Sequence, residues 1–82
     1  MYKATITVKL RPSILDPEGK AIEHALQSLE YTRLSGVRVG KEIELTVDAE
    51  DAATAEKLVD EACSKLLANP VMEDYTFELQ EL

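Results

Sequence analysis

The stretch YKATITVKL at residues 2–10 decides the fold. Its apolar residues alternate one by one with Lys and Thr, which is the period of a β-strand with one buried and one wet face. The Arg11-Pro12 pair follows, and because proline has no backbone N–H to donate to a sheet, the strand should end there. Similar alternation at residues 43–47 and 75–80 predicts two further strands of the same kind.

Two helices are predicted between these strands. Asp16 can accept a hydrogen bond from a free backbone N–H at the start of a helix, and Pro17 suits the first helical position. Apolar residues then recur at helical spacing, so the first helix should span about Pro17–Leu29. Asp51 is a candidate cap for a second helix, which the Asn69–Pro70 pair should stop.

A short strand at Leu34–Val39 and a hairpin turn at Gly40–Lys41 complete the predicted pattern, since glycine tolerates a positive φ. The element order is then βαββαβ, with no linker and no repeat. This is the ferredoxin-like pattern of the α+β class, a four-stranded antiparallel sheet with two helices on one face. The sequence therefore predicts a single domain over residues 1–82.

The predicted strands have one apolar and one polar face. The apolar face must meet the helices, and on the polar face the lysines of the first strand should lie beside Glu44 and Glu78. The polar face is either a solvated surface or a wet interface with a second copy or a partner chain. RNA-recognition modules of this topology stack bases on aromatic side chains of the open face, whereas the four aromatic residues here fall on the buried side or in a connector.

Composition and charge exclude several classes of function. The 82 residues include 9 Lys or Arg and 16 Asp or Glu, so the net charge of −7 disfavours nucleic acids and anionic membranes. A domain this short buries only about 60–65% of its unfolded surface, so we expect a homo-oligomer, a dimer or higher. Because neither a signal peptide nor an apolar membrane span is recognisable, we expect a cytoplasmic protein.

No arrangement of residues suits catalysis or metal binding. Cys63 is the only cysteine, so the chain offers neither an intrachain disulfide nor a zinc cluster; it is either a small core residue on a helix or a reactive thiol. His24 is the only histidine, a half-exposed surface residue or an isolated functional group. Glycine-rich phosphate-binding motifs are absent. We therefore expect no catalytic residue, metal or cofactor in this chain.

The loop Arg11–Lys20 is the one unusual segment. Its two prolines stiffen it, and Ile14 and Leu15 are apolar residues in a loop. Either these two residues cap the packing between helix and sheet, or the rigid loop presents a contact surface for a protein or a small ligand.

Three stretches taken together resemble the PurS family, the small subunit of phosphoribosylformylglycinamidine synthase. They are KLRPSILDPEGKA at residues 9–21, VRVGKEIEL at residues 37–45 and CSKLLANPVMEDY at residues 63–75. The spacing between them also matches, and the resemblance covers the whole chain.

The resemblance implies a non-catalytic role in a ligase of purine biosynthesis. In that enzyme a glutaminase subunit releases ammonia, and a large synthetase subunit uses ATP to amidate formylglycinamide ribonucleotide. ATP and magnesium are therefore expected in the synthetase partner and not here. The small subunit dimerises and bridges the other two, so that ammonia from glutamine is used.

The same resemblance implies candidate subunit contacts. Carried over by motif, these are Arg11, Asp16, Pro17, Gly19, Lys20, Arg38, Gly40, Lys41, Asn69 and Pro70. Asp16 and Pro17 could equally be only a helix start, and Gly40 only a turn residue. Family members often have a glycine just after the first helix, where a positive φ closes it, and Glu30 stands in that place here.

Two other functions remain as alternatives. A regulatory module resembling ACT domains shares the predicted topology, and the loop at residues 11–15 loosely resembles their ligand loop, although no catalytic domain lies beside it. A stand-alone enzyme of acylphosphatase type would use Arg11 as a phosphate cradle, although a second polar partner is not evident in the predicted second strand.

Overall fold

The computed structural model describes the whole chain, Met1–Leu82. Its elements in chain order are β1 (Tyr2–Leu10), α1 (Pro17–Ser28), β2 (Gly40–Val47), α2 (Ala52–Ala62), a π-helical turn (Cys63–Leu67) and β3 (Glu73–Glu81). The strands form one antiparallel sheet in the order β2-β1-β3. The α+β class, with two helices and an antiparallel sheet, is therefore confirmed.

The central strand β1 carries the core. Ile6 lies opposite Ile43 of β2 and Phe77 of β3, and this register places the apolar residues of all three strands on one face, as predicted. Ile6 is fully buried, whereas its two neighbours on the edge strands are only half-buried. On the polar face, Lys3 forms the predicted ion pair with Glu44, at 3.6 Å.

Helix α2 covers the apolar face. Asp51 caps it as predicted, since its carboxylate accepts a hydrogen bond from the Thr54 N–H at 2.7 Å. Ala55, Val59 and Cys63 are buried beneath it, which confirms Cys63 as a small core residue. The π-helical turn that begins at Cys63 was not predicted.

The predicted fourth strand does not form in this chain. Residues 34–39 pair with no strand, and Gly40 is the first residue of β2, opposite Lys9. A Cβ atom at Gly40 would lie 2.6 Å from the carbonyl oxygen of Val8, so glycine is needed there for a close approach to β1. The predicted hairpin at Gly40–Lys41 is therefore wrong, and residues 34–39 lead directly into β2.

Helix α1 lies apart from the sheet, which corrects the prediction of two helices on one face. Helix α2 packs against all three strands, whereas α1 has no substantial packing against any other element. Because no hairpin forms before β2, residues 34–39 do not turn back over the sheet. Helix α1, which precedes them, is therefore not brought onto the sheet. Ile22 and Leu29, in the apolar stripe of α1, are consequently 41% and 68% exposed.

The overall shape reflects this separation. The chain measures 50 × 27 × 14 Å with a radius of gyration of 16.1 Å, against about 12 Å for a compact domain of this length. We refer to the three strands with α2 as the body, and to residues 17–39, which comprise α1 and the segment leading to β2, as the arm.

The end of α1 closes without the usual glycine. The Tyr31 N–H donates to the Leu26 carbonyl at 2.9 Å and the Glu30 N–H to the Gln27 carbonyl at 3.0 Å, which is the Schellman pattern. Glu30 takes the left-handed conformation with φ 70°. A glutamate therefore occupies the position where glycine is favoured, at some cost in backbone strain.

Candidate functional site

Asp16 joins the start of α1 to the start of β2. Its Oδ1 atom accepts from the Gly19 N–H at 2.9 Å, which is the predicted cap, and its Oδ2 atom accepts from the Val39 N–H at 2.8 Å. These two backbone hydrogen bonds, with a smaller contribution from the Arg38 charge, hold the pKa of the Asp16 carboxyl below its usual value. Asp16 is therefore both a helix cap and a link across the arm.

Glu23 makes a second link of the same kind, and it was not among the predicted site residues. Its Oε1 atom accepts from the Val37 N–H at 3.0 Å, which lowers the pKa of the Glu23 carboxyl. Asp16 and Glu23 are seven residues apart, about two helical turns, so both lie on one face of α1. The seven-residue spacing is visible in the sequence, but the role of the two carboxylates depends on the position of residues 37–39 in the fold.

Gly19 lies at a close approach between α1 and the same segment. It is buried, and a Cβ atom there would lie 2.6 Å from the Val37 carbonyl oxygen and 2.7 Å from Asp16 Oδ2. Any larger residue would push residues 37–39 away from α1. Among the predicted contact residues, Gly19 thus has a clear packing role within the chain.

Arg11 links the end of β1 to the turn before β3. Its guanidinium donates to the Pro70 carbonyl oxygen and lies 3.3 Å from the Asp74 carboxylate, and its backbone N–H donates to Met72 at 2.9 Å. Together with the buried Cys63, these groups border a cavity of about 320 Å³. Because its guanidinium is already engaged, Arg11 is poorly suited to the phosphate cradle of an acylphosphatase-type enzyme.

Asn69 organises the turn that Arg11 contacts. Its side-chain oxygen accepts from the Val71 N–H at 2.9 Å, and its own N–H donates to the Glu73 carboxylate at 2.8 Å. Such a turn, built on an asparagine side chain with Pro70 at its centre, gives both residues a local structural role. It leaves Val71 exposed.

The remaining cationic candidates face solvent. Lys41 lies 4.0 Å from Glu73 at the rim of the apolar face. Lys20 and Arg38 border a groove of about 450 Å³ along the loop between β1 and α1, and they form no ion pair. Leu15 of the same groove is 70% exposed, so it does not cap the packing between helix and sheet.

The predicted residues therefore fall into two groups. At the root of the arm lie Asp16, Pro17, Gly19, Lys20 and Arg38. At the end of the sheet lie Arg11, Gly40, Lys41, Asn69 and Pro70. Members of each group border an open groove.

The other titratable groups do not assemble into a reactive site. Burial raises the pKa of the Cys63 thiol, and the nearby Asp60 charge adds to this. The Tyr75 hydroxyl donates to Asp60 at 2.6 Å, a hydrogen bond that raises the pKa of Tyr75 to about 12. His24 is exposed on α1.

No cluster of three or more His, Cys, Asp or Glu side chains is placed to hold a metal ion. Neither helix has the length and apolar character that a membrane crossing needs.

Known sequences resemble this chain over its full length. The PurS family model, described as phosphoribosylformylglycinamidine (FGAM) synthase, matches residues 3–81. The phosphoribosylformylglycinamidine synthase subunit PurS of Synechocystis is 52% identical over 81 residues, which cover 99% of this chain and 81% of the relative. The same subunit of Bacillus subtilis is 48% identical over 82 residues, covering 100% and 96%.

Solved structures agree with the fold. PurS of Methanocaldococcus jannaschii superposes with a TM-score of 0.89 at 38% identity, covering 100% of this chain and 99% of that one. A chain in the structure of PurLQS from Thermotoga maritima superposes with a TM-score of 0.88 at 37% identity, covering 96% of both.

Proposed function

Because this chain belongs to the PurS family, we propose that it is the non-catalytic small subunit of phosphoribosylformylglycinamidine synthase in purine biosynthesis. The observation that carries the proposal is the match of residues 3–81 to the family model, supported by full-length similarity to curated PurS subunits. A non-catalytic role also suits this chain, because the Asp16 and Glu23 carboxylates are engaged by its own backbone N–H groups.

The proposed partners are the glutaminase and synthetase subunits of the same enzyme. The PurLQS structure from Thermotoga maritima supports an assembly of this kind for that relative. This chain would bridge the two, so that ammonia released from glutamine amidates formylglycinamide ribonucleotide. ATP and magnesium would bind to the synthetase partner, and the assembly would work in the cytoplasm.

We also propose that two copies associate through their arms. The apolar stripe of α1 is exposed, while Leu45 and Leu58 border a groove of about 200 Å³ between β2 and α2. A helix α1 from a second copy would bury apolar surface on both sides, at about 25 cal/mol per Å². Residues 34–39 would then add a fourth strand to the partner's sheet, which would complete the ferredoxin-like layout between two copies.

The test of the proposed role compares two sources of nitrogen. The synthetase and glutaminase subunits of the same organism are mixed with ATP and formylglycinamide ribonucleotide, with and without this chain. We expect omission to abolish the glutamine-dependent rate and to spare the ammonia-dependent rate. If neither rate changes, the proposed role is wrong.

A matched pair of variants tests the role of the arm in the same assay. Ile22→Ser removes an exposed apolar side chain of the α1 stripe, and Gln27→Ser changes an exposed polar side chain of the same helix. Only Ile22→Ser should lower the glutamine-dependent rate and the tendency to self-associate. Equal effects of the two variants would contradict association through the stripe.

A further inference from the structure

The arm is held together by polar contacts and not by an apolar core. Helix α1 does not pack on the body, and its close contacts run along residues 37–39. At that contact, the carboxylates of the N-cap residue Asp16 and of Glu23 in α1 accept backbone N–H groups at 2.8 and 3.0 Å. Hydrogen bonds to a charged acceptor are roughly twice as strong as neutral ones, so two of them can orient a segment that has no core.

The pairing of these groups sets the direction of the segment. Asp16, at the start of α1, binds Val39, and Glu23, two turns later, binds Val37. The segment therefore runs antiparallel to α1. Gly19 lies between the two bonds and lets the backbone of Val37 come close to the helix.

The two bonds also give the segment one closed edge. In a strand-like segment, the N–H groups of alternate residues point to the same side. The N–H groups of Val37 and Val39 are both taken by α1, so this side is not free to pair with another strand. The opposite side of the segment is therefore the one left to pair with a strand from another chain, since unpaired backbone groups at an edge are a template for pairing.

We infer that the Asp16 and Glu23 carboxylates form a latch, which fixes α1 and residues 37–39 as one unit and determines which edge of the segment meets a second copy. This inference rests on the proposed self-association and deepens it. Both residues act by positioning the arm; neither needs to touch the second copy.

The first variant removes one oxygen and keeps the helix cap. Asp16→Ser retains an acceptor for Gly19 but has no second oxygen for Val39. We expect the Val39 amide to exchange with solvent about tenfold faster. The dissociation constant for self-association, measured by sedimentation, should rise by a similar factor. The control is Asp51→Ser, the same change at a cap that binds only Thr54, which should leave both measurements unchanged.

The second pair of variants tests the other bond. Glu23→Ala should accelerate exchange of the Val37 amide and weaken self-association. Glu23→Gln keeps an acceptor oxygen but not the charge, so its effects on both should be smaller than those of Glu23→Ala. Gln27→Ala, an exposed change on the same helix, should alter neither.

The outcomes separate the latch from the proposed assembly. Unchanged amide exchange in Asp16→Ser and Glu23→Ala would overturn the latch. Faster exchange with an unchanged dissociation constant would overturn its positioning role. If the unaltered chain stays monomeric at millimolar concentration, self-association and the positioning role are both wrong, whatever the amides show.

Discussion

The body and the arm show two ways in which one short chain can hold its elements. In the body, Ile6, Val8 and Val59 are buried between one sheet face and one helix. In the arm, the apolar stripe of α1 is exposed, and two carboxylates and a close-packed glycine hold the backbone instead. An amphipathic helix therefore packs on its own sheet only if the connection between them brings it there.

This division also bears on function. The body is stabilised by its own apolar residues, which lie opposite one another across the three strands. The arm has no comparable apolar core, because Ile22 and Leu29 are exposed to water. A helix with exposed apolar side chains that have no partner in their own chain is what a subunit of a larger assembly would present to its partners.

The largest expected difference comes from one isoleucine in each region. Ile6→Ala should lower the free energy of unfolding by about 2–5 kcal/mol, because Ile6 is fully buried in the body. Ile22→Ala should change it by about 0.5 kcal/mol or less at low protein concentration, where the arm is unpaired. Urea unfolding of both variants at low concentration measures the contrast. Equal losses would mean that α1 belongs to the core.

Two glycines should show a smaller contrast. Gly40→Ala places a Cβ atom 2.6 Å from the backbone oxygen of Val8 in the body, so it should cost about 1–3 kcal/mol. Gly36→Ala meets nothing within 4 Å but strains a residue at φ 68°, so its effect should appear only as faster amide exchange in the arm. The boundary between body and arm would be misplaced if Gly36→Ala lowered the urea midpoint as much as Gly40→Ala.

The end of α1 offers a stabilising change. Glu30→Gly should relieve the left-handed strain at φ 70° and slow exchange of the Tyr31 amide by a factor that corresponds to about 1 kcal/mol. The matched change Gln27→Gly, inside the helix, should speed that exchange, since glycine weakens a helix interior. Stability of the body should not respond to either. Faster Tyr31 exchange in Glu30→Gly would contradict the assigned cap.

Acid should loosen the arm more gently than any of these substitutions. The carboxyls of Asp16 and Glu23 have pKa values below their usual 3.8 and 4.5 in the folded chain. Their contribution is therefore present above those usual values and is lost as the pH falls through the lowered ones. Amide chemical shifts of Val37 and Val39 should report this transition below about pH 4. The double variant Asp16→Ser, Glu23→Ala should abolish it, and an unchanged transition in that variant would assign it to other groups.

Several errors in the prediction share one cause. Residues 34–39 were predicted as a strand and Gly40 as the turn of a hairpin, and both predictions are wrong. A glycine before a strand is compatible both with a hairpin turn and with a close approach to a neighbouring strand. Which of the two applies depends on the Val8 carbonyl oxygen, which would lie 2.6 Å from a Cβ atom at Gly40. Val8 is 32 positions earlier in the chain, so the local pattern does not show it. Glu23 was missed for the same reason, because its partner at Val37 is distant in sequence.

The sequence alone predicted the three strands that form the sheet, the face that their side chains take, the two helices and the aspartate caps. These features depend on residue period and on neighbours within a few positions, which the sequence displays directly. The motifs at residues 9–21, 37–45 and 63–75 also identified the family. Only the tertiary structure decided that residues 34–39 do not fold back, that α1 stands apart and that Asp16 and Glu23 hold the arm. Those features depend on distances between residues that are far apart in the chain, and a local sequence pattern does not indicate such distances.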